Sequence, residues 1–329
     1  MNRATLSVII PNYNHGRYLR ELLLSLLTQS RLPDEIIVVD DGSTDDSVSV
    51  IEAIAEQNQC IKLHRNPKNL GVVATLNRAI DLASGDYLTF PSADNFVLPG
   101  MYEKSMAILE QFPAAGLCCS DPVIYNDITA DIHASSLDLS KEASFFSAAE
   151  VLQLTRKKGF CAGNICHTTV VKKDAMREVA ADGNYYLPEL KWHCDFFAIN
   201  AIAFRHGMCY IPEKLAMFRW VPTSYSQKKH PWKVVRGVYH TMIDVLNRPQ
   251  YAAIKPAFKK STVLAEFSYS MLSVLVVNPL FYEFLVPSYL KRALHASWSS
   301  FVSFLRVRVA RIPIAKKIFR LLKKFFCKS

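Results

Sequence analysis

Between residues 5 and 91 the chain alternates short aliphatic, β-branched runs with longer stretches whose apolar residues recur at helical spacing. TLSVIIP (5–11), DEIIVVDD (34–41), CIKLH (60–64) and DYLTFP (86–91) read as strands. RYLRELLLSLLTQS (17–30), STDDSVSVIEAIAEQ (43–57) and NLGVVATLNRAIDLASG (69–85) read as the helices between them. Leu19, Leu22, Leu23, Leu26 and Leu27 share a face of the first helix, and Val48, Ile51, Ile54 and Ala55 a face of the second. Gly85 stops the third. Strands alternating with helices of this length build βαβ units around a parallel sheet, an α/β architecture.

In such a sheet the ligand crevice lies at the carboxyl ends of the strands. Four strand ends carry polar residues: Asn12-Tyr13-Asn14, Asp40-Asp41-Gly42-Ser43, His64-Arg65-Asn66 and Ser92-Ala93-Asp94-Asn95. They are expected to converge on one rim. Neither GxGxxG nor GxxxxGK[ST] occurs, so neither a dinucleotide fingerprint nor a P-loop is indicated.

After residue 121 the alternation is lost. NICHTTVV, MCYIP and LAMFRW read as strand-like, with a helix around 193–206, and the chain reads as helical after Pro231. The apolar stretch 263–287 is interrupted by Glu266, Asn278-Pro279 and Glu283, so no membrane span is expected there. MNRATLSVII leads directly into the first strand without a small-residue cleavage site, and no secretory leader is expected. The eight cysteines form no CxxC pair and no zinc spacing; they read as buried, reduced thiols of a cytosolic protein.

Charge separates the two ends of the chain. Of 39 Lys and Arg, eleven lie between Ser288 and Ser329, where there is no Asp or Glu; residues 1–287 are left at a net charge of −1. A nucleic-acid binder would carry its positive charge across the folded face. The basic end is interleaved with Phe301, Phe304, Leu305, Ile318, Phe319, Leu322 and Phe325, a pattern expected to lie on an anionic membrane surface; a solvated helical face or an oligomer contact is the alternative.

Three acidic residues are candidates for chemistry, each with a structural alternative. Asp41 at a strand end could accept from a base N–H while Tyr13 stacks on the ring; the same residues could end a strand and cap the next helix. Asp94 could hold the divalent cation that a nucleotide diphosphate brings, or form an Asx turn. Asp195, near the start of an apolar helix, could act as general base for a hydroxyl or simply cap that helix. His167, His193 and His230 are read as surface or packed residues before helpers.

Taken together, SVIIPNYNHGRYL, IIVVDDGSTDDS and NLGVVATLNRAIDLASGDYLTFPSADNFVLPG resemble the family 2 glycosyltransferases. The likeness is close over residues 5–120 and loose over 160–226. It implies a GT-A-like Rossmann-type α/β sheet with a mixed acceptor-side region and a C-terminal helical extension. It divides the chain into 1–120 (nucleotide-sugar half), 121–230 (acceptor and catalytic half) and 231–329 (helical, basic, membrane-associating). It implies inverting transfer of one sugar from a nucleotide-diphosphate donor, with uridine expected, to a glycan or lipid-linked acceptor of a bacterial surface polysaccharide such as lipopolysaccharide. The enzyme is then cytoplasmic, peripheral on the inner face of the membrane, and binds no nucleic acid.

By the same resemblance Pro11 and Tyr13 line the nucleoside site, Asp41 contacts the base, Asp94 binds Mg²⁺ or Mn²⁺, Asp195 is the general base, and Arg219 lies near the diphosphate or acceptor. The pattern departs from the family at Ser92 and Asn95, where Asp is common, and at Cys194, where Glu precedes the base. LAMFRW lacks the Gln of the processive QxxRW motif, which points to a non-processive enzyme. Two alternatives to this reading are a sugar nucleotidyltransferase and a non-catalytic nucleotide-sugar or glycan-binding protein with degenerate motifs.

Overall fold

A computed structural model describes residues 3–221 and 230–296. The basic end from residue 297 onward, with the apolar residues interleaved in it, lies outside the described residues. The chain divides into two compact units: Met1–Leu154 with Phe160–Lys229, and Thr155–Gly159 with His230–Ser329.

The first unit is built on one mixed sheet. Its strands are β1 (Leu6–Asn12), β2 (Glu35–Asp40), β3 (Ile61–Arg65), β4 (Tyr87–Thr89), β5 (Phe96–Val97), β6 (Leu117–Asn126), β7 (Ile132–Ala134), β8 (Ser144–Phe146), β9 (Val170–Lys172) and β10 (Met208–Trp220). They run in the order β3-β2-β1-β4-β9-β6-β10-β5, with β7 added to β6 and β8 to β10. β3, β2, β1 and β4 are mutually parallel; β9 is antiparallel to both β4 and β6, and β10 is parallel to β6.

Its helices are α1 (Gly16–Leu27), α2 (Ser47–Ala55), α3 (Val72–Leu82), α4 (Met101–Gln111), α5 (Ala148–Lys158), α6 (Lys173–Val179) and α7 (Cys194–His206); α5 runs into the second unit. Period-two alternation sends Leu6, Val8, Ile10, Ile36 and Val38 to the face covered by Leu19, Leu22, Leu23 and Leu26 of α1, Ile51 and Ile54 of α2, and Met106 and Leu109 of α4. α3 packs on β1 and β2 with Ala79 and Ile80 buried. Residues of β2 are therefore buried on both sides, which is why EIIVVD reads as a continuous apolar run.

Three elements differ from the sequence reading. NICHTTVV is not one strand: residues Ala162–Thr168 form a 3₁₀ segment and only Val170–Lys172 join the sheet. The Thr168 and Thr169 hydroxyls donate to the Ile165 carbonyl, the local competition that Ser and Thr offer to extended backbone. MCYIP and LAMFRW are one strand, not two, carried past Pro212 by register shifts between Ile211, Lys214 and Ala216. α1 starts one residue earlier than predicted and ends three earlier, and α2 and α3 are shorter by two to four residues at each end.

The second unit is helical: α8 (Trp232–Leu246), α9 (Lys255–Lys260), α10 (Ser268–Val277) and α11 (Pro287–Ala296), with short 3₁₀ turns between them. Met242, Ile243, Leu246, Phe258, Leu272, Leu275, Phe281 and Phe284 are buried. Among the described residues no helix is long and apolar enough to cross a membrane; α10 stops at Asn278-Pro279.

At the amino edge of the sheet Glu35 is nearly inaccessible. It accepts from Lys62 Nζ (2.7 Å), Ser7 Oγ (2.6 Å), and Ser84 N and Oγ (2.6 and 2.9 Å). Burial opposes its ionisation, but those donors prevail and hold its pKa down at about 2. A depressed folded pKa contributes stability above the unfolded carboxylate range and loses it as pH falls. Glu35→Gln should lower stability by about 1–3 kcal/mol at pH 7 in urea denaturation. The gap to the wild type should close as pH falls from about 4.5 through about 2.

Candidate active site

The strand order reverses between β1 and β4. From β1 the chain steps outward to β2 and β3, then returns to place β4 on the other side of β1. Such a switch point opens a crevice at the carboxyl edge of the sheet. β1 pairs with β2 over six residues, Ser7 to Asn12, but with β4 only from Leu6 to Val8. Ile9 to Asn12 thus extend past the last β4 pair. Pro11, half-buried, sits in this overhang, where its missing N–H costs no ladder bond. Tyr13 follows it, 42% exposed, with a ring available for stacking.

The other strand ends gather at the same edge. The Asn12 amide donates to Asp40 Oδ1 (2.8 Å) and to the Ser43 hydroxyl (3.2 Å), and Thr44 N donates to Asn14 Oδ1 (2.8 Å). Asp40 ends its strand by accepting from Ser43 N (3.0 Å). Asp41 does something different: its carboxylate reaches the segment before α3, not α2. Oδ1 accepts from Asn66 Nδ2 (2.7 Å) and Leu70 N (2.8 Å), and Oδ2 from Gly71 N (2.9 Å). One lone pair of Oδ2 is left over by this count.

Two glycines permit that stitch. Gly42 has φ +74, and a Cβ there would stand 2.9 Å from the backbone of Lys68; Gly71 has φ +89.

Asp94 follows β4 on the opposite side of the crevice. It is buried, and among the described residues no hydrogen bond from another residue reaches its carboxylate. Burial raises its pKa above the ordinary carboxylate range, the Asp127 charge adds to the effect, and His15 and Arg219 oppose it. Nearby, His15 Nδ1 and Asn95 Nδ2 are buried without partners.

Among the described residues no three His, Cys, Asp or Glu side chains come together to hold a metal by themselves. A single carboxylate without donors does fit a hard cation such as Mg²⁺ or Mn²⁺ that takes its remaining ligands from phosphate and water.

Arg219 lies at the end of β10 with its guanidinium on protein carboxylates. Nη1 donates to Asp127 Oδ1 and Nη2 to Glu21 Oε2, each at 2.6 Å, and Nε donates to the Asp94 carbonyl at 2.9 Å. Arg219 pulls the Asp127 carboxyl below its ordinary value, with Tyr18 and Arg17 assisting.

Asp195 lies in the first turn of α7, where the helix dipole favours its charge. The Cys166 thiol beside it belongs to the segment that enters β9 opposite the end of β4, which sets this end of the helix at the carboxyl edge. Oδ1 accepts from Phe196 N (2.7 Å). Burial raises its pKa, and the Phe196 N–H and the Cys166 thiol oppose that rise. Cys194 is buried beside it, and the Tyr186 ring bridges toward β4 through an edge contact with Phe90 at 5.6 Å.

His167 is half-buried, and desolvation of its ring holds its pKa down at about 4. That makes it a weak proton acceptor packed on Phe218. His193 packs on Trp192 and Phe196, and His230 belongs to the second unit. The seven cysteines among the described residues are free thiols.

Sequence reasoning did not single out His15, Glu21 and Asp127. Glu21 and Asp127 are brought to Arg219 only by the fold.

A family model described as glycosyl transferase family 2 matches residues 7–179, just over half of the chain. An uncharacterized glycosyltransferase of Haemophilus influenzae is 39% identical over 111 residues, 34% of this chain and 44% of that one. The uncharacterized glycosyltransferase YibD of Escherichia coli is 43% identical over 103 residues, 31% and 30% of the two chains. Glycosyltransferase GlyG of Streptococcus pneumoniae is 36% identical over 98 residues, 30% and 33% of the two chains. The match therefore spans less than half the length of each of these relatives.

The crystal structure of S. aureus TarS 1-349 superposes with a TM-score of 0.58 at 17% identity, covering 93% of this chain and 76% of that one. Its complex with UDP-GlcNAc gives 0.58 at 16% identity, covering 88% and 79%. The α/β sheet and helical C-terminal part are thus the GT-A-like fold.

Because Asp94 holds its proton more tightly folded than unfolded, its ionisation costs stability, a cost that appears as pH rises through the raised value. Asp94→Asn escapes it. In urea denaturation the variant should be more stable than the wild type at pH 7, and the two should converge below about pH 4. A variant less stable at pH 7 would contradict the absence of donors to Asp94.

Proposed function

The chain belongs to glycosyl transferase family 2, and we propose that it is a non-processive, inverting hexosyltransferase that uses a UDP-sugar. The observation that carries this reading is the Asp94 carboxylate, buried after β4 beside the switch point with no donor from another residue among the described residues. The TarS complexes with UDP-GlcNAc and UDP support a uridine donor in this fold.

Residues 1–120 supply the donor half and residues 121–230 the acceptor half. Pro11 and Tyr13 flank the base, with Tyr13 stacking on it. Asp41 holds the 66–71 segment in place and offers its remaining lone pair to a base N–H. Asp94 would hold Mg²⁺ or Mn²⁺, which when bound supplies Lewis-acid neutralisation of the leaving diphosphate.

Asp195 takes the proton of the acceptor hydroxyl. The oxygen attacks the anomeric carbon from the face opposite the nucleotide, the bond to the diphosphate breaks with its electron pair on oxygen, and the configuration inverts. A raised pKa suits this role, since a base nearer to neutrality holds the abstracted proton better. A glycan or lipid-linked acceptor of a bacterial surface polysaccharide, lipopolysaccharide among them, agrees with a basic, apolar end that meets the inner face of the cytoplasmic membrane.

Calorimetric titration with UDP and GDP, each with and without Mn²⁺, tests the donor site. UDP should bind about tenfold or more tightly with Mn²⁺, and Asp94→Ala should remove the metal-dependent gain. Asp195→Asn should lower turnover of the matching UDP-sugar by about 10²–10⁴-fold with donor KM little changed. GDP binding in place of UDP would change the donor class. Binding of neither by a folded sample would favour a degenerate, non-catalytic protein. Vesicles containing anionic lipid should sediment the full chain; equal sedimentation of a chain ending at Pro287 would remove the membrane role of the basic end.

A further inference from the structure

We propose that Arg219 is the positioning residue of the donor site, a buried cation held by Asp127 and Glu21 that fixes the turn carrying Asp94. The inference rests on reading Asp94 as the donor-side carboxylate. It gives Arg219 a different task from contact with the diphosphate or acceptor.

Two donors of Arg219 close on adjacent residues of one turn. Nε reaches the Asp94 carbonyl (2.9 Å), and the Arg219 backbone N–H reaches Asn95 Oδ1 (3.0 Å). The next residue, Phe96, is paired with Met217 in the β5–β10 ladder and lies under the guanidinium at 4.3 Å. Tyr18 of α1 lies 4.8 Å from the guanidinium, and its hydroxyl donates to Asp127 at 3.1 Å. Residues 94–96 are therefore laid onto the end of β10 by backbone pairing, by a side-chain amide and by a stacked cation together.

The electrostatics argue against a direct phosphate contact. One buried guanidinium serves Asp127 and Glu21 at 2.6 Å each while Asp94 lies close by. Asp127 and Glu21 thus occupy both Nη groups, the exposed Arg17 adds a partner to Asp127 at 3.2 Å, and His15 acts on the Asp94 carboxylate beside Arg219. With both Nη groups taken by carboxylates, Arg219 has little attraction left for a diphosphate. Arg219 can hold this place because a planar fork serves two carboxylates and a carbonyl at once; a lysine ammonium cannot span them.

The test combines amide hydrogen exchange, read by peptide mass spectrometry, with UDP titration. The variants are Arg219→Lys, Asp127→Asn and Glu21→Gln. In Arg219→Lys, exchange across residues 93–97 should speed up about tenfold or more, while β1–β3 stay at the wild-type rate. UDP affinity with Mn²⁺ should fall about tenfold or more, while metal-free UDP affinity stays within about twofold. Asp127→Asn should move the same readouts less, and Glu21→Gln, whose carboxylate is half-exposed, least.

Unchanged exchange at 93–97 in Arg219→Lys overturns the proposal. So does an equal loss of metal-free and metal-dependent affinity, which would make Arg219 a direct ligand. If wild type binds UDP under neither condition, the donor-site reading falls, and the exchange data alone decide whether Arg219 holds the turn.

Discussion

The early end of the β1–β4 ladder shapes everything at the carboxyl edge. Once β1 runs beyond its partner, its backbone groups and the residues at its end must find partners elsewhere. On the β2 side they do: Asp41 N donates to the Asn12 carbonyl, and the Asn12 amide donates to Asp40. On the β4 side the gap stays open, and the chain leaving β4 is instead carried across to β10. The residues after β1 are thus stitched to β2 and those after β4 to β10, three places from β4 in the sheet.

The first half of the fold was readable because local and global signals agree there. EIIVVD is apolar throughout because it is covered on both faces, and the leucines of α1 fall on one stripe because one stripe is buried. The acceptor side was less readable. β9 has three residues, entered from a 3₁₀ segment built by threonine hydroxyls, and a pattern of that length carries no periodicity. β10 was seen as two pieces because Pro212-Glu213-Lys214 interrupts its apolar residues, and only pairing on several strands shows it to be one.

The positions of the candidate residues were legible in the sequence, and their partners were not. Asp41, Asp94, Asp195 and Arg219 all fall at the edge that the strand ends define. What each touches depends on residues far along the chain: Asp41 on residues 66–71, Arg219 on Glu21 and Asp127. No local pattern encodes an ion pair between residues 198 positions apart. Neither Asp40 nor Asp41 caps α2: Asp40 closes its own turn and Asp41 reaches the segment before α3.

The stretch from Asp195 to Arg219 is one uninterrupted run of secondary structure with Gly207 at its bend. It descends α7 from the carboxyl edge and returns to that edge along β10. The proton acceptor proposed for one substrate and the anchor proposed for the loop of the other are therefore opposite tips of a single hairpin. Gly207 has φ +76 and a Cβ there would stand 2.3 Å from the Phe146 carbonyl, so a side chain at the bend would strain the connection between the two.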